Sequence, residues 1–280
     1  MTLQPEVVTF GESMGLFMPS SRKPIEYANT FEKSFGGAES NVAIGISRLG
    51  IRSGWFGKLG NDPFGRIIVK ALRGEGVDVS RATLADDHPT GIMLRETTPT
   101  HSSVYYYRKH SAASRIRPDE LDENYIQNAK LLHVTGITPA LSESCEQTVR
   151  VAIRIARTNG VKVCFDPNLR LKLWPLERAR RTILDLAAQV DYFMPGWDEL
   201  CLLYETDDFE RVKAELASLG NVCIIKSKDG ATWVIEGKRT EKVPFFKVDH
   251  VVDPVGAGDA FCAGFIAGLV RGFDLLDSVK

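Results

Sequence analysis

Several things are scarce or missing in this chain, and each absence narrows what it can be. Its five cysteines, at 145, 164, 201, 223 and 262, include no Cys-x-x-Cys pair and are odd in number. They read as reduced thiols rather than as a disulfide framework or a metal knuckle, which predicts a cytoplasmic location. No apolar run exceeds about the eleven residues of 260–270, far below the roughly twenty needed to span a bilayer. The first residues, Met1-Thr-Leu-Gln-Pro-Glu, have neither the basic nor the apolar region of a secretion signal. Neither sign of charge is in surplus: 35 basic against 36 acidic side chains leave a net charge of −1. That excludes a general attraction to nucleic acid or to an anionic membrane, so any anionic ligand must be held by local groups. There is no internal repeat and no low-complexity stretch. A chain of 280 residues, 44% hydrophobic, can bury a large core, and its alternating elements favour one domain over two.

The stretch with the most chemistry is Asp253-Pro-Val-Gly-Ala-Gly-Asp259-Ala-Phe-Cys-Ala-Gly264. Gly256, Ala257 and Gly258 carry almost no side chain, so backbone N–H groups can approach an anion closely, and the positive end of the following helix points at the same place. Asp259 falls in the first turn, where a carboxylate could take a proton from an attacking hydroxyl. A Gly-x-Gly before a helix also occurs without any ligand, and an Asp there can simply complement the helix dipole. The rest of the helix argues for function. Residues 260–270 are apolar or small on every side, which predicts full burial, and Gly264 and Gly268, one turn apart, predict close packing of another element.

Along the chain, short apolar runs at 7–10, 53–56, 131–135, 161–166, 192–194 and 222–226 read as strands. Helical patterns lie between them at about 38–49, 65–75, 142–158, 175–188 and 209–219. Strands alternating with helices imply a parallel sheet covered on both faces, with ligands beyond the C-terminal strand ends. Asp166-Pro-Asn-Leu-Arg170 and Pro195-Gly-Trp-Asp-Glu199 fall at two such ends. A second glycine pair, Gly36-Gly37, also precedes a helix, with Glu39 and Asn41 available to hydrogen-bond a polyhydroxyl ligand. His133, inside an apolar strand, reads as a core histidine. Segments 90–96 and 103–108 break the strand-helix rhythm and predict a small antiparallel flap. Within it Tyr105 and Tyr107 share one face and Tyr106 takes the other. Gly230 reads as the turn of a hairpin with arms at 232–236 and 238–243.

Taken together, Gly36-Gly-Ala-Glu-Ser-Asn-Val-Ala, Gly60-Asn-Asp-Pro-Phe-Gly65 and Asp253-Pro-Val-Gly-Ala-Gly-Asp-Ala-Phe resemble the two signatures of the ribokinase-type, or PfkB, carbohydrate kinases. Within that family Gly11-Glu-Ser-Met, Tyr106-Tyr-Arg108, Gly136-Ile-Thr-Pro-Ala-Leu and the two strand-end motifs look most like the bacterial 2-keto-3-deoxygluconate kinases. The resemblance implies an α/β fold, a ribokinase-like three-layer α/β/α sandwich forming one domain, with a β-sheet lid inserted at about 12–35 and 88–112. It implies ATP-dependent phosphorylation of a keto sugar acid, with ATP and Mg²⁺ as cofactors. Neutral-sugar kinases (fructokinase, ribokinase) and a silent sugar or nucleotide sensor are the alternatives. By the same likeness Asp259 is the catalytic base and Gly256, Ala257 and Gly258 form the anion hole. Gly37 and Asn41 contact sugar hydroxyls, while Tyr106, Arg108 and Arg170 take the acid end. Asn168, Lys226, Ser227 and Gly230 lie near the nucleotide, and Glu199 reaches Mg²⁺ through water. The guanidinium groups suit a carboxylate, which they meet with two parallel hydrogen bonds.

The chain also departs from the family pattern. Gly196 replaces an asparagine, Ser227 a glycine, and Met93 a tyrosine. It stops at Lys280 where relatives continue for several dozen residues, which reads as a truncated C-terminal end. A homodimer through the aromatic outer face of the lid is expected, with no nucleic-acid or membrane partner.

Overall fold

In the computed structural model, which describes residues 4–21, 23–98, 102–246, 248–251 and 253–280 (the side chains of 227 and 228 excepted), β1 (Val7–Phe10) leads through a turn to β2 (Met14–Pro19). β3 (Phe31–Gly36) runs into α1 (Ala38–Arg48). β4 (Ser53–Phe56), β5 (Lys58–Gly60), α2 (Pro63–Gly74), β6 (Thr83–Ala85), β7 (Ile92–Thr97), β8 (Ser102–Tyr107) and the short α3 (Glu123–Gln127) follow. Then strands and helices alternate: β9 (Leu131–Thr135), α4 (Ile137–Leu141), α5 (Glu143–Thr158), β10 (Lys162–Asp166), α6 (Leu176–Ala187), β11 (Tyr192–Phe193), α7 (Trp197–Tyr204), α8 (Phe209–Ser218) and β12 (Val222–Lys228). The antiparallel β13 (Ala231–Glu236) and β14 (Arg239–Pro244) complete that sheet, before α9 (Ala257–Val270) and α10 (Leu275–Val279).

The main sheet has eight strands in the order β14-β13-β12-β11-β10-β9-β1-β4, parallel from β12 to β4. Its central strands are mostly apolar because both faces are covered, and the buried Thr9 and His133 pair with each other. Val8, Phe10, Val163 and Phe165 point into the core under α5, α6, α7 and α8. Their neighbours Val7 and Cys164 point the other way, into the core under α1, α9 and α10. Successive residues alternating between two cores is the period-two signature of a doubly covered strand. This is the three-layer α/β/α sandwich. A separate four-stranded sheet, β3-β2-β7-β8, stands apart from it as the lid.

Two helix features position the site. Asp62 caps α2 through the N–H groups of Phe64 and Gly65 (2.9 and 2.8 Å), and its other oxygen accepts the Thr90 N–H at 2.8 Å, fixing the chain where it enters β7. On α1, Gly45 has no room for a side chain, since a Cβ there would lie 2.6 Å from that of Ala263. That closeness lets α1 and α9 touch backbone to backbone.

The expected full burial of α9 does not hold. Cys262, Ala263, Phe265, Ile266 and Ala267 are buried, but Ala260 and Gly264 face outward. Gly268 is packed by Ser278 of α10, whereas nothing lies within 4 Å of a Cβ built at Gly264, so only one of the two glycines serves helix packing. The elements end within a few residues of the sequence expectation, and Asp229-Gly230, both left-handed (φ 54° and 66°), make the β12–β13 turn.

Candidate active site

The parallel strands end on one edge, and their C-terminal residues meet there. A cleft of about 470 Å³ is lined by Glu12 after β1, Asp166 closing β10, Asn168, Glu199 and Lys226 of β12. The first turn of α1 (Gly37, Ala38, Asn41) and the mouth of α9 (Gly256, Gly258, Asp259) complete that wall. From the lid come Met93, Tyr106 and Arg108, with Arg170 beside them. Ligand space beyond the carboxyl ends of strands is what an open α/β sheet provides.

At the mouth of α9, Gly256 takes φ 81°, a left-handed conformation that strains any side chain, and turns the backbone into the helix. The helix then presents its positive dipole end to the cleft at Gly256 and Gly258, while the Ala257 N–H donates to the Pro254 carbonyl at 3.2 Å. Asp259 sits beside them, and its Oδ2 accepts a 2.7 Å hydrogen bond from Asn41 Nδ2. Asn41 lies one turn before Gly45 and Asp259 one turn before Ala263, so the close helix contact aligns this pair. Burial pushes the Asp259 carboxyl up, from 3.8 to about 6, against the opposing pull of the Asn41 bond. A carboxylate with that pKa is ionised at neutral pH yet basic enough to accept a proton. Gly37 has no alternative at its position, because a Cβ would lie 2.3 Å from the Glu12 carbonyl oxygen.

The other charges in the cleft are largely paired. Lys226 Nζ contacts Asp166 Oδ2 at 2.8 Å. Burial works against the Lys226 charge, but the Asp166 carboxylate outweighs it and leaves the ammonium above its ordinary range. Arg108 forms a buried ion pair with Glu12, whose Oε1 also accepts the Ser111 hydroxyl at 2.7 Å. The Arg108 guanidinium lies over the Tyr106 ring, 5.4 Å from its centroid. Arg170 makes no ion pair among the described residues and donates only to the Leu169 carbonyl at 3.2 Å. Both oxygens of Glu199 accept backbone N–H groups, from Leu169 at 2.6 Å and Gly196 at 2.7 Å. Burial and then the Asp166 charge hold Glu199 above the usual carboxylate range. The lid is joined to the α9 loop by a two-pronged contact, Arg95 to Asp253 at 2.7 and 3.0 Å.

A family model described as "pfkB family carbohydrate kinase" matches residues 4–280. The chain belongs to the pfkB family of carbohydrate kinases. It is 41% identical over 280 residues to a 2-dehydro-3-deoxygluconokinase of Bacillus subtilis (strain 168), covering 98% of this chain and 86% of that one. Among solved structures it is similar to a PfkB protein from Polaromonas sp. JS666 (TM-score 0.92, 35% identity, 99% and 92% of the two chains). It is also similar to a candidate ribokinase II from E. coli in complex with ATP and Mg²⁺ (TM-score 0.89, 26% identity, 99% and 89%). The fold is therefore the ribokinase-like one, and the chain is a carbohydrate kinase.

In this pfkB kinase the structure brings most of the sequence-selected residues to one cleft. Gly37, Asn41, Tyr106, Arg108, Asn168, Arg170, Glu199, Lys226, Gly256, Gly258 and Asp259 all line it. Ala257, between the two glycines, is exposed and does not line it. Gly230 sits at the β12–β13 turn, outside the lining residues, and the Ser227 side chain lies outside the described residues. Glu39 corrects an expectation. It is fully buried and accepts hydrogen bonds from Thr135 (2.6 Å) and Thr138 (2.9 Å), so it is turned away from any sugar. Glu12 was not singled out from the sequence, and its pairing with Arg108, 96 residues away, leaves no local signal. His133 is a core residue, its Nδ1 3.0 Å from the Thr9 hydroxyl. All five cysteines are unpaired, and among the described residues no helix is long and apolar enough to cross a membrane.

Proposed function

We propose that this kinase transfers the γ-phosphoryl group of ATP to the terminal hydroxyl of a keto sugar acid, most specifically 2-keto-3-deoxygluconate, giving the 6-phosphate and ADP. The observation that carries this is Asp259, held by Asn41 at the mouth of α9 within one cleft that also contains the unpaired Arg170. The substrate hydroxyl donates its proton to the Asp259 carboxylate. Its oxygen forms the new bond to phosphorus while the bond to the leaving ADP oxygen breaks. The N–H groups of Gly256 and Gly258 receive the charge of the transferring group, whereas that of Ala257 is given to the Pro254 carbonyl at 3.2 Å; the loss of one such donor typically costs about 3–4 kcal/mol. Gly37 and Asn41 meet sugar hydroxyls, while Tyr106 and Arg170 orient the carboxylate. Asn168, Lys226 and Ser227 stand on the nucleotide side.

Glu199 fits an indirect role toward Mg²⁺. Each oxygen accepts a hydrogen bond from one backbone N–H and retains lone pairs for water, and nearby Asp166 adds a second carboxylate. Mg²⁺ arriving with ATP would neutralise phosphate charge.

An ADP-release screen across sugar acids, their C4 epimers and neutral sugars tests the reading, with Asp259→Asn as control. That variant keeps sugar and ATP binding and loses about 10²–10⁴-fold in turnover; normal turnover would remove the base assignment. One observation favours a neutral-sugar kinase as second reading: Glu12 already neutralises Arg108. Arg170→Leu separates the two, since it raises KM for the acid under the first reading and leaves a neutral sugar nearly untouched under the second. Arg108 is the poorer choice, because its removal strands a buried Glu12 at about 3–5 kcal/mol.

We further propose a homodimer through the outer lid face, where Tyr105 and Tyr107 are exposed (49% and 68%). A monomer at micromolar concentration in sedimentation would remove it. ATP use and five free cysteines suit the cytoplasm.

A further inference from the structure

A second cavity, of about 840 Å³, adjoins the cleft and shares Tyr106, Arg108 and Arg170 with it. Its other charged lining residues are Lys109, Arg115 and Lys172, with His110 beside them, and no carboxylate lines it. Arg108 is neutralised by Glu12, but Lys109, Arg115, Arg170 and Lys172 make no ion pair among the described residues. Like charges converging within about a Debye length, roughly 8–10 Å, repel one another and raise the local positive potential. The walls between the cations are apolar, with Leu141, Leu169 and Leu173 on one side and Val104 on the other. Lys172 ties this cavity to the lid: its Nζ donates to the Val104 carbonyl at 3.2 Å and lies 5.9 Å from the centre of the Tyr106 ring.

We propose that this cavity binds a second small anion, a metabolite carrying phosphate or carboxylate groups on an apolar or ring-shaped body, and that its occupancy lowers affinity for the sugar acid. The cations match the anionic groups, the leucines match the body, and the volume suits a metabolite-sized ligand. The coupling runs through Arg170, which lines both spaces. An anion in the second cavity draws its guanidinium away from the cleft, and by linkage the sugar acid weakens the anion's binding by the same factor. Only this coupling rests on the assignment of Arg170 to the substrate carboxylate; binding itself does not.

The test uses the whole chain at constant ionic strength, with phenyl phosphate and phthalate as probes in calorimetric titration. At least one binds, which identifies phosphate or carboxylate as the preferred group. Binding survives Asp259→Asn and weakens about tenfold or more in Arg115→Gln/Lys172→Gln, whose exposed side chains leave folding intact. The bound probe raises KM for the sugar acid and leaves kcat unchanged in the wild type only. Failure of both probes to bind at millimolar concentration overturns the proposal, as does binding that persists in the double variant or disappears in Asp259→Asn. Binding as expected without any change in KM overturns the coupling through Arg170 and leaves the ADP-release screen unaffected.

Discussion

Glu39 offers a measurable consequence of burying a carboxyl without a cation. Burial pushes its pKa from 4.5 to about 7, although the Thr135 and Thr138 hydroxyls favour the ionised form. The native state keeps this proton up to about pH 7, whereas the unfolded chain releases it near 4.5. Stability from this group is therefore fully present below pH 4.5 and is lost as pH rises through 7. At about 1.36 kcal/mol per pH unit, a displacement from 4.5 to about 7 caps the loss at about 3 kcal/mol. The side chain is fully buried, so solvent does not screen this away. In Glu39→Gln the amide oxygen keeps both threonine bonds, and its NH₂ replaces Oε2, which has no partner. That exchange costs about 1–3 kcal/mol at every pH. The difference in unfolding free energy between wild type and variant should thus shrink or reverse between pH 5 and 8.5, by roughly 2–3 kcal/mol. Urea unfolding at four pH values and fixed ionic strength reads it; titrating groups other than Asp259, whose charge acts on Glu39, cancel in the difference. A gap that stays constant across that range would refute the displaced titration of Glu39.

Asp259 and its neighbours give three more tests. Under the proposed role of Asp259 as a base that works only when ionised, kcat/KM should rise with pH through an acid limb near 6, and Asn41→Ala, which removes the bond lowering that pKa, should move the limb upward; a limb that stays in place would show that Asn41 does not tune Asp259. Gly45→Val forces α1 from Ala263 and should cost about 1–3 kcal/mol of stability together with kcat, measured by urea unfolding and initial rates. Arg95→Ala releases the lid from Asp253 in a pair that is partly exposed, so stability should change by less than about 1 kcal/mol. Its ATP hydrolysis without sugar should increase as water enters; equal hydrolysis would mean the contact does not hold the lid.

The sheet was legible because a strand buried on both faces is mostly apolar, as Val7–Phe10 and Leu131–Thr135 are apart from Thr9, His133 and Thr135. The mouth of α9 was legible because glycines and a carboxylate stand within a few positions of each other. The lid's first half was not read strand by strand. In β3 the first four residues are exposed, so no alternation marks it, and only the family likeness put a lid there. α4 escaped because it is five residues long and contains Pro139. Glu39 was misread although the signal was present: it stands three, four and seven positions before Val42, Ala43 and Ile46, all buried on one face of α1. Asn41 shares its stripe with Gly45 instead. Helical spacing, applied to polar residues as strictly as to apolar ones, separates the two.

Charge pairing was the least readable property, and it bears most directly on substrate choice. In one dimension Arg108, Arg170 and Lys226 are three equivalent cations near four carboxylates, Glu12, Asp166, Glu199 and Asp259. In the folded chain Lys226 is bound to Asp166 and Arg108 to Glu12, and both pairs cancel locally. What remains without an ion pair among the described residues is Asp259, with its neutral partner Asn41, Glu199, held by two backbone N–H groups, and Arg170, whose charge lowers the pKa of Asp259. Under the proposed function Asp259 meets a substrate hydroxyl and Arg170 a substrate carboxylate, while Glu199 is left for the water shell of Mg²⁺. A neutral sugar would use the base and leave the guanidinium to water. Under that proposal, selection for the acid would hang on one exposed arginine, Arg170, which lines both cavities.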